Sequence, residues 1–130
     1  MAGIYGISKA GRYVEDWLEA FYFSGTLTAA DVGKAVSLDT TAEKTVKLAA
    51  DGDEILGRLE TVENRTQEGI QVCTVALKFF GWLPKSASAI AVGAGVVGAG
   101  GGLVKSSAAL HHAKVVHVDA ANNLVHVVFQ

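Results

Sequence analysis

One cysteine, one proline and no excess of positive charge are the first features of this sequence of 130 residues. A single cysteine makes neither an internal disulfide nor a thiolate metal cluster, so the core or partner subunits must supply stability. Lys plus Arg number 11 against 13 for Asp plus Glu, a formal charge of −2, and phosphate neutralisation demands the opposite balance. Nucleic acid is not an expected partner. The opening residues, Met1 to Arg12, lack the basic region and apolar run of a secretory signal. Residues 86–104 are uncharged and long enough to span a bilayer, yet six of them are glycine, so no membrane partner is expected either.

Small and apolar residues are what the chain has in quantity. Half of it is hydrophobic, 18% is charged and 15 residues are glycine, enough apolar surface to offset the entropy of ordering one domain. From about residue 32 onward the apolar pattern has period two, punctuated by Gly, Asp and Asn. Strands are expected at 33–38, 44–49, 54–62, 69–79, 89–97, 102–106, 113–119 and 124–129. Their spacing suits an all-β fold, an antiparallel sandwich or barrel of about eight to nine short strands, jelly-roll-like or a duplicated meander.

Two regions refine that expectation. Between Gly11 and Phe23, Val14, Trp17, Leu18 and Phe21 recur at helical spacing, which favours a short amphipathic helix. The run Phe21-Tyr22-Phe23 has the competing β preference of an extended arm entering a strand at 20–24. Residues 1–24 are accordingly read as an arm or helix ahead of a β domain at 25–130. The second region is a weak repeat. Val32-Gly33-Lys34-Ala35-Val36 resembles Val92-Gly93-Ala94-Gly95-Val96, and residues 54–62 and 113–119 follow as the next strand of each half.

Near mirror symmetry about Ala121/Asn122 makes the last two strands a hairpin. Pairing 118 with 125 and 116 with 127 sends Val116, Val118, Val125 and Val127 to the core and leaves His117 facing His126 on the other side. Those two histidines, with His111, His112 and Asp119, are the candidate metal ligands, but their spacing matches no established site and no metal is expected. Gly93-Ala94-Gly95-Val96-Val97-Gly98 is a literal GxGxxG, with Asp119 about 20 residues on, as a dinucleotide site requires. The helix that must follow is opposed by Gly100-Gly101-Gly102, and a hairpin loop is the favoured reading. Cys73, in an apolar run without an adjacent basic residue, reads as a small buried hydrophobe.

The succession Leu27 to Leu38 (LTAADVGKAVSL), Ile55 to Glu60 (ILGRLE), Gly69 to Val72 (GIQV), Phe80 to Lys85 (FGWLPK) and Ile90 to Val96 (IAVGAGV) resembles the small capsid decoration, or cement, proteins of tailed bacteriophages. The likeness spans roughly residues 25–130. It implies a virion structural protein, assembled in the host cytoplasm, that binds the capsid exterior as a homodimer or homotrimer. Its partner would be the major capsid protein, with neither enzymatic activity nor a cofactor. Tyr13, Trp17, Phe21 and Trp82 are the candidate contacts, because large rings concentrate binding energy. A nucleotide-binding protein built on the GxGxxG stretch and a metal-binding cupin-like barrel are the alternatives.

Overall fold

The computed structural model describes residues 17–65, 69–109 and 113–129. Nine strands run through them: β1 Trp17–Phe23, β2 Ala35–Leu38, β3 Thr45–Leu48, β4 Gly57–Arg65, β5 Ile70–Pro84, β6 Gly95–Gly100, β7 Leu103–Ser107, β8 Ala113–Asp119 and β9 Leu124–Phe129. The sheet order β1-β3-β2-β4-β5 closes into a five-stranded barrel because β1 also pairs with β5. All of its pairings are antiparallel except the short β1–β3 contact. Beyond the barrel, the far half of the 15-residue β5 pairs with β9, and β9 with β8. The hairpin of β6 and β7 forms a separate two-stranded sheet. The fold is all-β, as the period-two pattern indicates.

Two cores lie on opposite faces of this sheet. Phe23, Leu27, Val36, Val46, Leu59, Cys73 and Val75 fill the barrel. Ala35, Ala49, Ala76, Phe79, Leu83, Val96, Val104, Val115, Val125, Val127 and Phe129 pack between the barrel wall and the strands outside it. Ala35 and Val36 are adjacent and point opposite ways, as alternation requires. Strand β5 serves both cores through a bulge: Trp17 opposes Lys78 while Leu18 opposes Ala76, so Leu77 is an extra residue. That extra residue moves Phe79 and Leu83 onto the face that Ala76 began.

The weak repeat corresponds to a structural duplication. In the first half, Gly33 N–H donates to Leu59 O (2.7 Å) and Leu59 N–H donates to Lys34 O (2.9 Å). In the second, Gly93 N–H donates to Val115 O (2.7 Å) and Val115 N–H donates to Ala94 O (2.9 Å). Gly33 and Gly93 both take positive φ, 96° and 92°, each two residues before a strand residue at 35 or 95. Each half also bulges immediately after the bonded residue: Glu60 is extra between Leu59 and Thr61, and Val116 between Val115 and His117. Thus β2–β5 and β6–β9 are two copies of one four-strand pattern.

Five expectations need correction. Residues 17–23 form a strand, not a helix, because period two puts Phe21 and Phe23 on the barrel core and Leu18, Ala20 and Tyr22 outside; residues 11–16 lie outside the described residues. The strand expected at 54–62 starts at Gly57, and the one expected at 89–97 starts at Gly95, after a turn at Val92-Gly93. The strand expected to end at Phe79 continues to Pro84. Gly81 fits within it because the Arg58 guanidinium occupies the space a Cβ would take, and Pro84 sits at its last position. Finally, Val116 is 38% exposed and Val115 is buried, since the bulge shifts the pairing from 116 with 127 to 115 with 127.

Candidate docking face and cleft

Trp17 opposes Lys78 across β1 and β5, and alternation along β5 puts Phe80 and Trp82 on Lys78's face. Trp82 in turn opposes His126 on β9, and His126 opposes His117 on β8. One face of the sheet therefore carries Trp17, Phe80, Trp82, His126 and His117. The His126 ring is stacked on Trp82 (centroids 4.7 Å, interplanar angle 16°) and on Phe80 (4.4 Å, 28°), and His117 meets Trp82 edge-on at 5.7 Å. Such ring pairs contribute about 0.5–1.5 kcal/mol each beyond burial and hold the rings in fixed positions. Trp82 keeps 39% of its surface exposed and Trp17 56%.

Of the contact aromatics expected from sequence, Trp17 and Trp82 share this face. Phe21 lies on the same face of β1 as Trp17 but packs against the barrel core instead of standing exposed. Tyr13 lies outside the described residues. Phe80 is the member that sequence reasoning missed, and its period-two spacing with Trp82 would have shown it had the strand not been stopped at Phe79; His126 enters the sequence reading as a candidate metal ligand and not as part of an aromatic face. The facing of His117 and His126 agrees with the expected hairpin pairing. Among the described residues, no three His, Cys, Asp or Glu side chains converge as a metal site would need, and His111 and His112 lie outside them.

Of the glycines in the GxGxxG stretch, Gly98 has a packing duty. Gly95 and Gly98 belong to β6, which turns through Gly101-Gly102 into antiparallel β7 rather than into a helix. Gly98 N–H donates to Asp53 O (2.8 Å), Gly52 N–H donates to Gly98 O (2.9 Å), and a Cβ on Gly98 would overlap Ala50 O. The backbone approach is close because the side chain is absent.

A cleft of about 560 Å³ opens where β4 leaves the lane between β2 and β5. Leu38, Ile55, Leu56, Leu77 and Phe129 give it an apolar lining, and the charged residues on its wall, Asp53 and Glu54, are both acidic. Asp53 accepts hydrogen bonds from Ser37 Oγ (2.8 Å) and Ala50 N–H (3.0 Å) and pairs with Lys47 Nζ at 3.3 Å. The Ser37 and Ala50 bonds, helped by Lys47 and opposed by burial, hold its carboxyl below the ordinary range. Cys73 sits inside the barrel, where burial pushes its thiol up to about 11 and keeps it protonated at neutral pH. Among the described residues, no helix is long and apolar enough to cross a membrane. Comparisons with protein-family models and with curated proteins gave no match to this chain.

Proposed function

We propose that this chain is a non-enzymatic capsid decoration protein that binds the outer surface of an assembled phage head as a homodimer or homotrimer and bridges major capsid subunits. The observation that carries this reading is the single sheet face on which Trp17 and Trp82, both partly exposed, are held by strand pairing and by the Trp82–His126–Phe80 stack. Rings fixed in place lose little entropy on docking, and large aromatics concentrate binding energy at interfaces. The sequence likeness over residues 25–130 supports the same reading. Repetition of the site over a capsid lattice lets modest contacts sum to strong resistance against internal pressure.

The test is to mix purified protein with undecorated heads and image them by electron microscopy. Ordered extra density on the shell is the expected result, with a Trp17→Ala, Trp82→Ala double variant retaining its fold and losing occupancy. Bare shells at saturating protein would overturn the reading.

A further inference from the structure

Lysines on the aromatic face are treated differently from those elsewhere on the molecule. Among the described residues, Lys34, Lys47, Arg58 and Lys105 are each paired with a carboxylate, from Asp31, Asp53, Glu60 and Asp51 respectively. Lys78 and Lys114, both exposed, are in none of these pairs. Both belong to the aromatic face, because Trp17 opposes Lys78, Phe80 opposes Val128, and Val128 opposes Lys114. The carboxylates nearest to it are engaged locally. Glu19 accepts from Trp17 Nε1 (3.2 Å), and Asp119, at the far end of β8, accepts from Asn122 Nδ2 (2.9 Å) and Asn122 N–H (3.3 Å). The open charges of the face are therefore cationic.

Ring orientation points the same way. Neighbouring strands lie about 4.8 Å apart, so rings on β5 and β9 that stack at 4.7 Å with planes 16° apart stand upright, edges outward. The rim of an aromatic ring is the positive end of its quadrupole, which suits a carboxylate better than the flat face of a base. Lys78 and Lys114 are separated by two strand spacings and two residues, roughly 12 Å, close to the span between residues i and i+4 of an extended chain. We propose that this face docks an acidic, extended segment of a partner protein. Two of its carboxylates, four residues apart, meet Lys78 and Lys114, and the apolar side chain midway between them rests on Phe80 and Val128. The inference rests on the reading of this face as the docking surface and names the chemistry that the surface selects.

The experiment titrates the 15N-labelled full-length chain with the capped peptide Glu-Ser-Phe-Ser-Glu, with Lys-Ser-Phe-Ser-Lys and with a single-stranded thymidylate decamer. The expected result is saturable binding of the acidic peptide alone, shifting the backbone amides of Lys78 and Lys114 together with the Trp17 indole N–H. A Lys78→Gln, Lys114→Gln double variant should weaken that binding about tenfold, the scale of two exposed ion pairs. Lys44→Gln removes an equally exposed charge from the β2–β3 turn and should leave it unchanged. Equal binding of both peptides, no saturation up to about 1 mM, or a double variant that binds like the unmodified chain would each overturn the proposal. Tighter binding of the decamer would assign the face to nucleic acid and overturn it as well. On undecorated heads at subsaturating protein, a double variant that decorates as fully as the unmodified chain would retain the capsid reading and lose this one, whereas bare heads beside intact peptide binding would do the reverse.

Discussion

Asp53 closes the turn that sets Gly52 against Gly98, and its carboxylate ties β2 to that turn through Ser37 and Ala50. Because the fold holds this carboxyl below its ordinary value of 3.8, the ionised form is the one that folding favours. Its contribution is therefore present in full above the unfolded value and is lost as pH falls through the folded one. Asp53→Asn keeps the shape and removes the charge. It is expected to cost about 1 kcal/mol at pH 7, the scale of a charge-assisted hydrogen bond at a partly exposed site. The gap to the unmodified chain should narrow below about pH 4, where an unperturbed aspartate takes up its proton. Urea unfolding of both proteins at pH 7 and pH 3 measures this, and a gap unchanged between the two would sink the assignment. Lys85 has a parallel local duty: 5% exposed, it donates from Nζ to Ser86 O (2.8 Å) and Ser88 O (3.0 Å) and so ties down the chain that follows β5.

At the scale of elements, the existence and order of the strands from residue 33 onward were legible, because alternation of Val with polar residues and Gly-rich or Asn-rich turns are local signals. The bulges were not. A bulge adds one residue to one strand and flips every side chain beyond it, and neither Leu77 nor Val116 differs in kind from its neighbours. The aromatic face suffered from the same gap. Trp82 was singled out by chemistry alone, whereas its stacking with His126 depends on β5 running past Gly81, a residue that reads as a breaker until Arg58 is seen beside it. The cleft was invisible because the pattern ran the strand back to Glu54, across the lane that is open. The Val116 bulge gives a direct check. Val115→Ala should cost about 2 kcal/mol, as loss of buried methyls in a core does, while Val116→Ala should stay within about 0.5 kcal/mol. Equal losses in thermal or urea unfolding would mean that the hairpin pairs without the bulge.

Strands β2 to β9 are two copies of one strand pattern joined through β5, whose first half lines the barrel and whose second half carries the outer sheet. The outer core is shared between the copies: Ala35, Ala49 and Ala76 of the first pack with Val96, Val104 and Val127 of the second, whereas the barrel core draws on β1 and the first copy. The Gly52-Asp53 turn of the first copy is bonded to Gly98 of the second. Because the shared core must be exposed for either half to open, the chain is expected to unfold in one step. The two tryptophans report separately, Trp17 from a barrel strand and Trp82 from the outer sheet. Trp17→Phe and Trp82→Phe variants, each followed by fluorescence of the remaining indole, should give an indole transition that coincides with the far-ultraviolet circular dichroism transition of the same variant. The comparison within each variant removes the effect of the substitution itself on stability. Separated transitions in either variant would show that the barrel and the outer sheet open independently, and the shared core between the two copies would then contribute too little to couple them.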